Sequence, residues 1–266
     1  MIENELVIRK LVKMAVEAYA EAFETRHITE YNNPDGTINM KIHNVFIAAL
    51  GPEIQYYTAL VRSLDSSLGN MLEKLAVNIA ELFYIVSKYV EGPLYPEQTA
   101  FIAKILEEYK RHEKKPLVKD YLYLRSKIDS NSEIRRHDSD YYLVDKSTND
   151  HFLIELKIGG DLDNKKARSE KEAILEQYAI LSNTLSKETE IKIYFATAYN
   201  RFGENQPWKQ ERVKQFFSEE ELLIGKKFWN FICKSDTGYE IVLDEYKKHS
   251  NVILQSLEKI KGIYLG

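Results

Sequence analysis

The sequence predicts a mixed α/β fold: a β-sheet core flanked by helices, with an α-rich region before it. Three observations predict it. Apolar residues recur at helical spacing through the first third of the chain. The middle changes to short β-rich runs, YYLV at 141–144, FLIELKI at 152–158 and IKIYFATAY at 191–199. A helical stretch at 167–185 lies between the last two, and the order β, β, α, β, α is that of a mixed sheet with helices on its faces. Residues 1–115 are expected to be mainly helical and 116–266 to form the core with C-terminal helices, the whole making one compact unit.

The elements follow in order. Leu6, Ile8, Leu11, Val12, Met14, Ala15 and Tyr19 give 4–25 helical periodicity. NNPDGT at 32–37 is a turn cluster, and HNVFIAAL is a short apolar element ended by Gly51-Pro52. A helical pattern runs from about 53 to 90. Asp65-Ser66-Ser67 is a candidate interruption where a serine caps a second helix, and Gly92-Pro93 ends it. Another helix covers 97–113. KSTND reads as a turn joining the first two strands. Ala167, Ile174, Tyr178 and Leu181 form an inner face on the 167–185 helix. Ser218 to Glu221 reads as a capping box that starts a helix running through Phe231, and two helical stretches complete the chain.

Composition bounds the function. Hydrophobic residues make up 44% of the 266, enough for a core, and no apolar run is long enough for a bilayer. The first residues, MIENELVIRK, lack a secretory core, so a cytoplasmic protein is expected. A single cysteine, Cys233, excludes a disulfide framework and a cysteine zinc site. The histidines show no zinc-ligand spacing, and His137 and His151 beside the hairpin read as incidental. The net charge of −4 argues against indiscriminate coating of nucleic acid but not against a nuclease, because DNA responds to local potential. Residues 104–127 hold eight basic and four acidic side chains, either a solvated helix face and loop or a nucleic-acid patch.

The chemistry lies in HDSDYYLVDKSTNDHFLIELK, residues 137–157. Side chains alternate on a strand. Phe152, Ile154, Leu156 and Ile158 therefore share an apolar core face, and Leu153, Glu155 and Lys157 line the opposite one, read as a cleft wall. A turn centred between Ser147 and Thr148 sets Asp140 opposite Glu155, with Cβ atoms about 5 Å apart. Two carboxylates that close repel unless a cation lies between them. Mg²⁺ suits the site, since it takes hard oxygen ligands and keeps several waters. Lys157 faces the same space, beside an attacking water and a scissile phosphate, and could orient or help deprotonate that water. Such a set hydrolyses a phosphodiester without a serine or histidine nucleophile. Glu-x-Lys occurs five times, but only Glu155-Lys157 sits inside an apolar strand behind an aspartate at hairpin distance. Asp138 is a weaker rival for Asp140, and a salt bridge on a sheet edge is the structural alternative.

Asp140 followed by Glu155-Leu156-Lys157 resembles the PD-(D/E)xK nuclease signature, with Ser139 where the leading proline stands. RSLDSSLGNMLEKLA (62–76), ELKIGGDLDNKKARSEKEAILEQYA (155–179) and IGKKFWNFI (224–232) together resemble the TdeIII-type family of type II restriction endonucleases, over about residues 55–245. The resemblance implies a restriction-endonuclease-like fold and a homodimer that cuts a short palindromic site in double-stranded DNA with Mg²⁺, residues 1–115 serving dimerisation and support of the core. It implies 5′-phosphate ends, a site of the GGNCC kind, and a cognate DNA methyltransferase as genetic partner. Asp140 and Glu155 would hold the metal with the Leu156 carbonyl, and Lys157 would assist the nucleophile. Glu73 would support the metal site through water, the plain alternative being a solvent-facing helix glutamate.

Beyond the hairpin, Gly159-Gly160 would let backbone approach a phosphate, with Lys165, Lys166, Arg168 and Lys171 contacting DNA; a flexible loop with a helix start is the alternative. Asn200, Arg201, Arg212 and Gln215, in a polar segment after the third strand, are candidate base readers, or else surface residues. Asp161-x-Asp163-Asn164 lacks the glycine and distal glutamate of a calcium loop. Phe228, Trp229, Phe231 and Ile232 read as core. A PD-(D/E)xK nuclease of repair or structure-specific cleavage, and a non-catalytic helical DNA-binding or regulatory protein with structural hairpin charges, remain alternatives.

Overall fold

The computed structural model describes residues 2–125, 132–159 and 162–266. Gly160 and Asp161, of the glycine pair and the rejected calcium loop, lie outside the described residues, as does Lys127 of the basic segment. The chain divides into two compact units, residues 1–78 with 240–266, and residues 79–239.

The first unit is helical. Ile8, Val12, Val16, Ala20 and Phe23 recur along one side of α1 (Ile2–Thr29) and are buried, and α1 packs along α9 (Asn251–Leu265). Glu24 fastens the pair, accepting from the Ser256 hydroxyl at 2.9 Å and from Lys259 at 3.0 Å. A 3-10 helix (Asn39–His43) and the short α2 (Val45–Ala48) lead into α3 (Pro52–Ala80), and α8 (Gly238–His249) precedes α9. The expected break at Asp65-Ser66-Ser67 does not occur. The Ser67 hydroxyl donates back to the Ser63 carbonyl at 2.7 Å, so the serine is accommodated inside the helix instead of capping a new one.

The second unit carries a five-stranded sheet in the order β1-β2-β3-β4-β5. β1 (Tyr84–Leu94), β2 (Glu133–Asp145) and β3 (His151–Leu156) are antiparallel; β4 (Ile191–Thr197) and β5 (Leu222–Ile224) continue the sheet in parallel with β3. This is the mixed sheet flanked by helices that the sequence predicts. β1 corrects the sequence reading, which ran a helix to residue 90. α3 stops at Ala80, a turn over 81–83 carries no glycine or proline to announce it, and Tyr84-Ile85-Val86 then pairs with Asp145-Val144-Leu143. An apolar run rich in β-branched and aromatic residues is a poor guide until its pairing partner is known.

Helices cover both faces. On one, Leu153, Ile193, Phe195, Val90 and Leu94 pack against α4 (Pro96–Lys110) and α5 (Asn164–Thr184). On the other, Tyr84, Phe152 and Tyr194 meet Phe231, and Tyr141 meets Phe228, of α7 (Lys226–Ile232). The expected core role of the Phe228–Ile232 segment is therefore borne out. The long helix expected from Ser218 is not found. The capping box closes a single 3-10 turn (Glu219–Glu221), and β5 follows. Gly225, at φ +52°, then turns the chain into α7, and a Cβ there would collide with the Glu204 carboxylate.

Candidate active site

The hairpin forms in the register expected from the sequence: Tyr141 opposes Ile154, Tyr142 opposes Leu153, and Val144 opposes His151. Asp145 builds the turn. Its Oδ1 accepts from the backbone N–H groups of Ser147 and Thr148 at 2.8 and 3.2 Å, and Lys234 pairs with its other oxygen. One more step in that register sets Asp140 against Glu155.

Asp140 does not sit in a regular ladder. Between the pairs Ser87–Tyr142 and Tyr89–Asp138, β1 advances two residues while β2 advances four, so β2 bulges around Asp140. Bulges re-aim side chains and gather beside active sites. Here the Asp140 carboxylate turns onto β3, where Oδ2 accepts the Leu156 N–H at 3.0 Å. Asp138 is exposed and joins none of the ion pairs at Lys157.

Lys157 is the centre of the cluster. Its ammonium pairs closely with Glu155, lies 3.9 Å from Asp140 Oδ2, and lies 3.3 Å from Glu170 Oε1 on α5. Glu170 is absent from the sequence reading. Asp163 caps α5 by accepting the Lys166 N–H at 2.8 Å, which fixes the helix phase. Residues 167, 170, 171 and 174 then form the stripe that faces the sheet. Two charged residues on that stripe were the available signal, and Ala167, Ile174 and Tyr178 had already marked it as the inner face.

The face of Leu153, Glu155 and Lys157 is therefore not an open cleft wall along its length. Leu153 is buried beneath α5, and only the end carrying Glu155, Lys157 and Asp140 remains partly accessible. Burial, and next the Asp140 charge, push the Glu155 carboxyl up to about 8, Lys157 opposing them. Burial disfavours the Lys157 ammonium, but Glu155 first, and then Asp140 and Glu170, hold its pKa above the ordinary lysine value. The cluster thus keeps a charged lysine inside an excess of negative potential.

That excess fits a hard divalent cation, because a cation beside Asp140 and Glu155 offsets both the burial and the Asp140 repulsion that raise Glu155. Among the described residues no group of three or more His, Cys, Asp or Glu side chains is arranged to hold a metal ion. The available donors are two carboxylates and the backbone, a set that suits an ion retaining most of its waters.

The proposed DNA contacts separate. Lys165 and Lys166 are exposed on the first turn of α5, and Arg168 pairs with Glu172 at 3.4 Å. Arg201 and Arg212 are exposed, the latter on α6 (Glu211–Lys214). Three candidates hold the fold instead. Lys171 is fully buried and paired with Glu221, so no duplex can reach it. Asn200 is buried and holds its own loop, its amide donating to the Gln206 carbonyl at 2.8 Å. The Gln215 amide donates to the carbonyls of Tyr109 and Lys110 at 3.2 and 3.0 Å. In the basic segment, Lys110 and Arg111 pair with Glu107, and Lys114 pairs with Asp120. Glu73 lies on the exposed side of α3. His137 lies 3.1 Å from Glu176, and His151 stacks on Tyr142.

A family model described as type II restriction endonuclease, HinfI, matches residues 5–250. The chain belongs to the HinfI family of type II restriction endonucleases. It is a site-specific deoxyribonuclease, a hydrolase whose substrate is DNA. The HinfI match supports the restriction-endonuclease resemblance but not its TdeIII-type refinement. The three blocks behind that refinement lie on α3, on β3 to α5, and on β5 to α7. No curated protein and no solved structure matches the chain. No helix among the described residues is long and apolar enough to cross a membrane.

Proposed function

We propose that this HinfI-family enzyme uses Mg²⁺ to hydrolyse double-stranded DNA at a short palindromic site, acting as a homodimer and leaving 5′-phosphate ends. The observation that supports it is the gathering of Asp140, Glu155 and Glu170 around the Lys157 ammonium at the accessible end of β3. Asp140 and Glu155 hold the cation. The Leu156 carbonyl is a suitable third donor: its N–H points to Asp140, and a strand residue's C=O points to the same side as its N–H. Magnesium, when bound, lowers the pKa of the attacking water and draws charge from the phosphoryl oxygens.

Lys157 acts as a charged donor, held among Asp140, Glu155 and Glu170. It orients the attacking water and steadies the developing charge on the phosphate. Glu170 limits the positions open to the ammonium. Lys165, Lys166, Arg168, Arg201 and Arg212 remain as duplex contacts, where cations bind backbone phosphates. The supporting role of Glu73 rests on the resemblance alone, and Glu73→Gln tests it. The enzyme works in the cytoplasm, and a cognate DNA methyltransferase that shields host sites is its genetic partner.

The test is plasmid digestion with and without Mg²⁺, followed by sequencing of the ends. Discrete fragments with 5′-phosphates and a two-fold-symmetric recognition sequence are expected. Random fragments, cutting confined to forks or nicks, or Mg²⁺-independent cutting would remove the reading. The same ends give the site's base sequence; the GGNCC kind drew on the TdeIII-type likeness, which the HinfI match does not carry.

A further inference from the structure

We infer that the exposed apolar surface of residues 39–61 is where two copies of this chain join. Residues 38–61 carry two charged side chains, Lys41 and Glu53, whereas 29% of the chain is charged and 24 residues at that density would carry about seven. Yet the segment is far from buried. Ile42, Val45, Phe46, Leu50, Tyr57 and Val61 are all exposed, Phe46 to 83%. Tyr57 and Val61 stand four residues apart on one side of α3. Leu50 stands two residues before α3 begins at Pro52, so the chain itself joins the two parts of the surface.

Water-exposed single hydrophobics are ordinary, but a run of large ones with its charges removed marks an interaction surface. These six side chains expose on the order of 600 Å² per copy before a polar rim is counted, against about 800 Å² per partner in a standard interface. The chemistry selects the occupant. A duplex needs cations along its phosphates, and this segment offers Lys41. A membrane-surface helix needs a strongly basic polar face, which is absent from these residues. A second copy presents the same apolar surface and closes the contact by two-fold symmetry. The choice of a second copy rests on the proposed function: a palindromic duplex has two strands to cut, and the described residues of one chain hold one carboxylate–lysine cluster of this kind at a strand end.

The experiment is sedimentation velocity on the full chain, comparing wild type, Phe46→Glu, Val61→Lys and a control, Leu254→Glu, at an exposed position on α9. The wild type and the control should dimerise with Kd of about 1 μM or below, as interfaces near this area reach. Each surface variant should weaken association by about 30-fold or more, the size of a hot-spot loss. Circular dichroism establishes that the variants are folded. If they are not, hydrogen exchange on the wild type replaces them, with slower exchange of residues 39–61 expected at high concentration. A monomeric wild type, a dimer indifferent to both substitutions, or exchange in 39–61 that ignores concentration would overturn the inference. The activity reading stands apart: a chain that dimerises through this surface but cuts no DNA keeps the interface and loses the proposed function.

Discussion

Replacing Lys171 by methionine separates the two roles that sequence and structure give it. In the structure its ammonium is fully buried, paired with Glu221, and flanked by the rings of Tyr121 and Phe217 at 5.0 and 4.7 Å. Glu221 is equally enclosed; Oε1 also accepts from the Tyr121 hydroxyl at 2.9 Å, and Oε2 accepts from the Ser218 N–H at 2.7 Å. Lys171→Met therefore leaves a buried carboxylate with two neutral donors and no countercharge. Breaking a buried pair from one side costs about 3–5 kcal/mol, and the two surviving hydrogen bonds place this case near the lower end. A loss of ~3 kcal/mol corresponds to a fall in Tm of about 6–12 °C for a protein of this size. The double variant Lys171→Met/Glu221→Gln leaves no buried charge and should recover ~2 kcal/mol, a coupling that a surface lysine would not show. Urea unfolding measures the stabilities, and fluorescence anisotropy across a salt series measures DNA affinity. The reasoning is refuted if Lys171→Met unfolds within ~0.5 kcal/mol of wild type while the salt dependence of DNA binding drops by about one phosphate contact.

Other expectations follow from the same structure. Asp140→Ala, Glu155→Ala and Lys157→Ala should each lower DNA cleavage by at least ~10³-fold with the circular dichroism spectrum unchanged, and full activity in any of them removes that residue from the site. Glu170→Gln should lower cleavage by about 10–100-fold through misplacement of Lys157, with Glu170→Asp recovering part of it; equal activity in all three forms would leave Glu170 with a structural role only. Burial pushes the Asp145 carboxyl up, but Lys234 and the Ser147 and Thr148 donors outweigh it and hold the pKa well below the ordinary value. A depressed carboxylate contributes stability that is present above its unfolded pKa near 4 and is lost as pH falls toward its folded pKa. Urea midpoints taken from about pH 5 downward should therefore fall less steeply in Asp145→Asn, and identical slopes would contradict this account.

Strand periodicity and turn chemistry made the hairpin legible before any coordinates. KSTND placed the turn, alternation placed Glu155 and Lys157 together, and the resulting register is the one observed. Longer-range features were hidden. β1 looked like the end of a helix, because its pairing with β2 joins residues about 50 apart in sequence. The Asp140 bulge arises from a mismatch between β1 and β2, which neither strand displays alone. Lys171 was read as a DNA contact and Glu170 was passed over, because helical phase shows which residues share a side and not what covers that side.

By itself the sequence determined the hairpin, with its carboxylate–carboxylate–lysine set in one register, and the mixed α/β class around it. These depend on backbone preferences and side-chain alternation within about 20 residues. Only the tertiary structure decided which charges meet. It brought Glu170 to Lys157, enclosed Lys171 with Glu221, and left the apolar surface of residues 39–61 uncovered. Burial and electrostatic coupling depend on distances through space, and those distances exist only once the sheet and helices have packed.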